Sequence, residues 1–486
     1  MSTEIRMEPK TLISDLPRTK LVATVGPACS SPEMLRKLIN AGVDVFRLNM
    51  AHANLEAHQL SVDEIRSAAR DCGRAVGILV DLAGPKIRLG QLLQDPIELD
   101  VGQQISFIRG DKPTLPHEMT CAYAPLLDEL KVGDEIVLAD GIARLVVESK
   151  SADRAECRVT DGGTIRSRQG VNLPATKLSV PALGEVDRKN ARWAAKAGAD
   201  FVSLSFVRCA AEIRELKDLL KLVGSTAQVI AKIEKREALD NLDEIVAMSD
   251  AVMVARGDLG VEIAIEKTPL AQKRIVRTCL QLGKPVIVAT QMLESMHHSK
   301  QPTRAEASDV ANAILDGTDA CMLSGETAIG EFPLEAVKMM KRIMSETEQM
   351  LRYRASRMSS KEADSGWTVL ESVMLGAAQI ARRLDAKMVV IASSTPNAAL
   401  IKSKQRDFVT TVCLSDQEAV ARKLSLYWGI FPLVVETIND YQQLPKFVIR
   451  WVSEHGGLVR GDRVVLVMDN EFLPDVHDTV MVVDVD

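Results

Sequence analysis

Short apolar runs rich in β-formers recur along the chain, with helical spacing between them. They lie at Leu21–Val25, Asp44–Leu48, Ala75–Val80, Phe201–Ser205, Val229–Ile233, Ala251–Ala255, Pro285–Ala289 and Ala320–Leu323. Between most of them apolar residues fall three and four apart, as in Pro32–Ala41 and Arg304–Leu315, the spacing of an amphipathic helix. Strands apolar on both faces are buried on both, as in parallel sheets covered by helices. Eight of them alternating with helices predict a closed parallel (β/α)8 TIM barrel. An open doubly wound sheet is the alternative, because hydrophobic spacing carries no mark of closure.

The rhythm breaks once, between Val80 and Phe201. Residues 85–182 hold short alternating strands at Gln104–Ile108, Glu135–Leu138, Arg144–Glu148 and Glu156–Thr160, with turn signals at Val132-Gly133-Asp134 and Asp161-Gly162-Gly163. This predicts a small inserted β-barrel domain, leaving residues 1–84 and 183–350 to the main barrel. A third pattern covers residues 366–486, with strands at Lys387–Ala392, Phe408–Leu414, Phe431–Val435, Arg463–Met468 and Val480–Asp484. It predicts a separate C-terminal α/β doubly wound domain, joined through a polar linker at Ser356–Gly366.

Composition narrows the functions. At 486 residues, with 46% hydrophobic and 26% charged residues, the chain is globular and multi-domain. A net charge of −6 and 3% aromatics offer neither a basic footprint nor stacking platforms for nucleic acid. No stretch suits a membrane span or a signal peptide, so no membrane partner is expected. The eight cysteines form no CxxC pair, which predicts reduced thiols in a cytoplasmic protein.

If the barrel closes, its working face lies at the strand ends. There the sequence places Arg47, Asn49, Asp81, Ser205, Lys232, Glu234, Arg256, Asp258, Thr290, Ser324 and Glu326, several inside apolar runs. A charge among apolar neighbours must be paired or bind a ligand. Lys232 and Glu234 share a strand face, as a phosphate-contacting cation beside a metal-ligating carboxylate or as a structural ion pair. Asp258 follows Gly257, which allows close approach of a ligand to the backbone; a helix N-cap is its other reading. Two carboxylates without histidine or cysteine suit Mg²⁺ or Mn²⁺. His297-His298 reads as a solvated helix end or loop, and His52 as a weak candidate for a nucleotide contact. Neither GxxxxGK[ST] nor a strand-borne GxGxxG is present.

From about Arg18 onward, the runs TKLVATVGPACS (Thr19–Ser30), FRLNMAH (Phe46–His52), VIAKIEKRE (Val229–Glu237), MVARGDLGV (Met253–Val261), ATQMLESM (Ala289–Met296), PTRAE (Pro302–Glu306) and MLSGETA (Met322–Ala328) resemble pyruvate kinase. The resemblance implies phosphoryl transfer from phosphoenolpyruvate to ADP, giving pyruvate and ATP, by a homotetramer with a C-terminal effector domain. It implies that Lys232 contacts the phosphoryl group and the enolate, with Thr290 and Ser324 in a proton-carrying water chain. Glu234 and Asp258 hold the divalent cation, and Arg47 clamps the phosphate. Gly257, Asp258 and Thr290, with Ser205, surround the substrate, while Asn49, His52 and Arg88 face the nucleotide.

Departures from the family pattern carry their own expectations. Gln169 stands where a lysine is expected, with Arg166 or Arg168 as replacements. The turn Ser393-Ser394-Thr395, supported by Lys402, suits a phosphorylated effector, but Asp475 and Asp478 oppose a bisphosphate. Family members commonly hold K⁺ through an Asn, a Ser, an Asp and a Thr; here the positions are Asn49, Ala51, Asp81 and Leu82. Lys86 stands where K⁺-requiring relatives have a glutamate, so its ammonium, paired with Asp81, replaces K⁺; a lysine pointing to solvent at a domain hinge is the other reading. A metal-dependent aldolase and a non-catalytic metabolite sensor are the alternative functions.

Overall fold

Eight parallel strands close on themselves: Lys20–Thr24, Val45–Asn49, Gly77–Asp81, Phe201–Leu204, Gln228–Ile233, Ala251–Ala255, Val286–Ala289 and Ala320–Leu323, first to eighth. Each pairs with its neighbours in sequence, and the first pairs with both the second (Val22 opposite Val45) and the eighth (Lys20 opposite Ala320). The open-sheet alternative is excluded. The computed structural model describes residues 16–174, 176, 179–355, 368–436, 438, 443–455, 457–468 and 478–485. The Ser356–Gly366 linker lies outside them.

Period-two alternation sorts the barrel strands into two layers. Outward residues such as Leu21, Phe46, Ile78, Val202, Ala231, Val254, Val288 and Cys321 join one core with the surrounding helices. Inward residues such as Val22, Val45, Leu79, Phe201, Ile230, Met253, Ile287 and Met322 form a second core. Two residues further along the same inward rows stand Thr24, Arg47, Asp81, Ser203, Lys232, Ala255, Ala289 and Ser324. The interior therefore changes from apolar to charged within one side-chain repeat.

The helices begin where the sequence supplies caps. Ser31 caps Pro32–Asn40, accepting from Met34 N, with proline in the first turn. Thr303 and Glu306 form a capping box on Arg304–Asp316, and Gly317 ends that helix at φ 98°. Glu306 also accepts from Ser295 N at 2.7 Å, so PTRAE fixes the loop after the seventh strand.

The insert is β, with its own core around Ile105, Phe107, Leu145 and Val159. Its architecture is more open than the expected small β-barrel. A six-stranded sheet runs in the order Val171–Asn172, Glu135–Leu138, Ala143–Lys150, Arg154–Asp161, Gln104–Ile108 and Glu118–Met119, and a separate two-stranded ribbon pairs Gly163–Ile165 with Ile97–Leu99. The longest pair carries register shifts between Arg144/Leu145 and Val147/Ser149, and among the described residues no pairing closes the sheet.

The C-terminal domain is a five-stranded sheet ordered Ile430–Val434, Thr410–Ser415, Met388–Ala392, Arg463–Met468 and Thr479–Asp484. The first four are parallel and the last antiparallel. This domain docks on the N-terminal ends of the barrel strands. Lys20 Nζ donates to Ile430 O at 2.6 Å, and Gln228 Nε2 to Tyr427 Oη at 2.8 Å. Arg422 reaches Asp200 at 2.9 Å. Buried Asp319 accepts from Lys404 at 2.8 and 2.9 Å, from Val286 N at 2.9 Å, and pairs with Arg406 at 3.0 Å. The inner barrel core continues into Leu424, Leu426, Tyr427 and Ile430.

Asp319→Ala strands two buried cations and is expected to destabilise the chain by about 3–5 kcal/mol, read as a lowered thermal midpoint. Removing the exposed Lys338–Glu335 pair should shift stability by less than about 1 kcal/mol. Equal shifts would rule out Asp319 as the docking anchor.

Candidate active site

Sequence position and strand register bring the predicted charges together at the C-terminal mouth of the barrel. Asp81, at the end of the third strand, is buried and accepts from Arg47 Nε at 2.7 Å and Ser203 Oγ at 2.6 Å. Its second neighbour, Lys232, lies at 3.4 Å. Lys232 Nζ then meets Glu234 Oε1 at 2.9 Å and donates to Ser205 Oγ at 2.7 Å. Ser205 Oγ in turn donates a hydrogen bond to Leu82 O at 2.7 Å. Arg47, Asp81, Lys232 and Glu234 thus alternate in sign through a buried layer, with Thr24 bonded to Arg47 at 3.1 Å. Strand alternation could have found Thr24 and Ser203, since both lie on inward rows.

The surroundings set each charge. Burial works against the Lys232 ammonium, but Asp81 and Glu234 outweigh it and hold its pKa above the usual lysine value. Burial would raise Asp81, yet Lys232 and Arg47 keep it below the ordinary carboxylate range. Glu234 is pushed up by burial, opposed by Lys232 and pushed further by Asp258. Glu234 Oε2 accepts from Phe206 N at 2.7 Å. Its Oε1 is shut from solvent and pairs with the Lys232 ammonium at 2.9 Å. A buried carboxylate next to half-buried Asp258 offers the oxygen donors a hard divalent cation takes, so the donor set fits Mg²⁺ or Mn²⁺.

Asp258 lies inside the short helix Arg256–Glu262, whose cap position is Ala255, and it makes no cap hydrogen bond. The N-cap reading of Asp258 is therefore replaced. Gly257 N donates to Thr290 Oγ1 at 2.9 Å, which joins two of the residues expected around the substrate. Thr290 and Gln291 both adopt left-handed backbone, at φ 65° and 53°, a strain of about 1–3 kcal/mol each for non-glycine residues. Arg256 holds this kink: it donates to Thr290 O at 2.7 Å and Gln291 O at 3.0 Å, and pairs with Asp309. Ser324 Oγ is buried without a hydrogen-bond partner, while Ser324 N donates to Glu326 at 2.7 Å.

The remaining candidates spread along the rim. Asn49 Oδ1 accepts from Ala51 N at 3.2 Å, and exposed His52 receives His58 Nε2 on its carbonyl at 2.7 Å. Arg88 sits at the insert hinge, donating to Arg168 O at 3.1 Å. Gln169 Oε1 accepts from Arg166 N at 2.6 Å, a bond within the insert's own turn. Lys86 is exposed and shares a cleft between insert and barrel with Asn172, Phe206, Lys235 and Asp258. Asp81 is occupied by Arg47, Ser203 and Lys232, so it does not pair with Lys86 as expected. Two barrel residues that sequence reasoning missed, Lys235 and Glu262, pair at 2.5 Å, and Glu262 also bonds Asn172 of the insert.

The C-terminal turn differs from the effector reading in its charges. Lys402 is buried and paired with Asp407, and Ser394 Oγ faces Asp416 at 3.5 Å. Asp475 lies outside the described residues.

A parallel barrel whose mouth gathers an arginine, a lysine and buried carboxylates beneath an inserted β domain has the charge layout of a phosphotransferase. The family models for the pyruvate kinase barrel domain and the pyruvate kinase alpha/beta domain match residues 16–337 and 371–483. The chain belongs to the pyruvate kinase family. It is 41% identical over 453 residues to a pyruvate kinase of Methylorubrum extorquens, covering 93% of each chain. To one from Sporosarcina psychrophila it is 40% identical over 452 residues, covering 92% of this chain and 77% of the relative. A crystal structure of a pyruvate kinase from Cryptosporidium parvum superposes with a TM-score of 0.90 at 33% identity, over the whole of both chains.

Arg256→Met should release the strained Thr290–Gln291 kink and lower kcat/KM roughly 10²-fold, the scale of a small misplacement of catalytic groups. Arg256→Lys should not restore it, because one ammonium cannot span Thr290 O, Gln291 O and Asp309. Wild-type kinetics in Arg256→Met would remove this positioning role.

Proposed function

We propose that this chain transfers the phosphoryl group of phosphoenolpyruvate to ADP, with residues 1–84 and 183–350 as catalytic barrel, 85–182 as lid and 366–486 as interface and effector domain. The observation that carries the reading is the buried Arg47–Asp81–Lys232–Glu234 chain beside Asp258. Lys232, kept charged by its two carboxylates, places fixed positive charge where the bridging oxygen of the substrate gains negative charge. Arg47, steered by Asp81, clamps the moving phosphoryl group. Ser205 holds Lys232 in position, and Gly257 and Thr290 receive the substrate carboxylate. Glu234 and Asp258 would hold Mg²⁺ or Mn²⁺, which when bound neutralises charge on enolate and phosphoryl oxygens. Thr290 and Ser324 would belong to a water chain near the enolate, the proton donor itself being unassigned. Asn49, His52 and Arg88 line the nucleotide side. The intact set argues against a non-catalytic sensor. A reducing, cytoplasmic setting agrees with eight cysteines that form no disulfide among the described residues, and no helix among those residues is long and apolar enough to cross a membrane. The outer edge strand Thr479–Asp484, with exposed Val482, favours self-assembly, in our reading a homotetramer. A phosphorylated effector would rely on the Ser394-Thr395 turn without Lys402.

Pyruvate formation coupled to lactate dehydrogenase tests the reaction. Lys232→Met should lower kcat roughly 10³-fold or more, and Glu234→Gln and Asp258→Asn should each move the Mg²⁺ activation curve to higher concentration. A Lys232→Met enzyme keeping a tenth of wild-type turnover, or unmoved metal curves in both other variants, would end this assignment.

We further propose that K⁺ is not required. Buried Leu82 and exposed Ala51 supply no side-chain oxygen, and the Lys86 ammonium stands on the wall of the cleft shared with Asp258. Full activity is expected with tetramethylammonium as the only monovalent cation, and a sharp loss in Lys86→Glu. Wild-type enzyme inactive without K⁺ would refute it.

A further inference from the structure

The loops after the seventh and eighth strands bring together three side chains that the reaction does not use. Glu294 and His297 come from the turn Glu294–His297, and Glu326 from the helix Gly325–Ala328. Their ligand atoms all lie within 4.8 Å of one another, with His297 Nε2 at 3.8 Å from Glu294 Oε1. Glu326 is wholly buried, and no cation among the described residues pairs with it. Burial raises its carboxyl pKa, and the backbone N–H groups of Leu293 and Ser324, at 3.0 and 2.7 Å, oppose that shift. His297 Nε2 is shut from solvent and has no hydrogen-bond partner among the described residues, and the same is true of the neighbouring Ser324 Oγ. The imidazole lies so close against Gly325 that a Cβ there would overlap the ring. The ring is therefore packed against Gly325 on its Cε1–Nε2 edge, with Nε2 also 3.8 Å from Glu294 Oε1.

A sequence reading of His297-His298 as a solvated end fits only the second of the pair. His298 is exposed and pairs with Glu331 at 2.9 Å. His297 instead completes a Glu–His–Glu set. Imidazole favours borderline cations such as Zn²⁺ over Mg²⁺, and one histidine with carboxylates is a familiar donor class for zinc. An ion at about 2.0–2.2 Å from each donor needs ligand atoms about 3–4 Å apart. Glu294, exposed at the rim, can swing inward to supply that contraction.

We propose that Glu294, His297 and Glu326 form a second divalent-cation site, selective for Zn²⁺ or a similar transition ion and separate from Glu234 and Asp258. Occupancy would tie the loop carrying Thr290 to the loop carrying Ser324. The site concerns cation binding alone and does not depend on the phosphotransfer assignment.

The test uses the full chain stripped of metal and then held in a large excess of Mg²⁺, which occupies hard-oxygen sites. Zn²⁺ is titrated by calorimetry, and Co²⁺ is added separately to record its visible absorption. Wild type should take up one Zn²⁺ per chain against Mg²⁺, with a rise in thermal midpoint. His297→Asn and Glu294→Gln should each weaken binding by roughly 10-fold or more. His297→Asn should also abolish the Co²⁺ band and the thermal shift, while keeping the metal-free midpoint. Zn²⁺ binding that is unchanged in both variants, or fully displaced by Mg²⁺, would overturn the proposal.

Discussion

The buried run of alternating charges from Arg47 through Asp81 and Lys232 to Glu234 is the constraint around which the barrel mouth is arranged. None of these groups could remain ionised inside the barrel alone, because desolvating an unpaired ion costs several kcal/mol. Each is tolerated because the next has the opposite sign at about hydrogen-bond range. Ser203, Ser205 and Thr24 then take up lone pairs and protons that the ions leave over. The chain ends at Glu234, whose carboxylate meets Lys232 through one oxygen and Phe206 N through the other.

Much of this layout was legible in the sequence, for a definite reason. A strand has a two-residue repeat, so Lys232 and Glu234, or Arg47 and Asn49, declare a shared face without any tertiary information. The eight apolar runs located every barrel strand to within a residue or two, because both faces of each strand are buried. What could not be read was pairing across elements. The reach of Arg256 to Thr290, Gln291 and Asp309 spans separate βα-loops. The burial of Lys402 against Asp407 likewise turns on tertiary context, although only a few residues part them. His297 is the sharpest case. Local sequence makes it the twin of His298, and only the loop after the eighth strand makes it different.

The insert was legible as β but not in its closure. Its strands are short, and its longest pair carries register shifts that interrupt the ladder. The hinge is also where two family departures fall. Gln169 turns inward to its own loop, and Lys86 stands in the cleft toward Asp258, so changes of charge at both positions alter the same seam between insert and barrel. That seam is bridged by Glu262, which meets Lys235 on one side and Asn172 on the other.

The C-terminal domain closes the opposite end. Because the inner core runs from Val22 and Leu79 directly into Leu424 and Tyr427, the barrel has no floor of its own. Lys20 touches Ile430 at one end of the first strand, and Thr24 touches Arg47 at the other. A five-residue strand is a stiff rod about 17 Å long. Substrate chemistry and the distal domain are therefore separated by a single rod's length, with no hinge between its two ends.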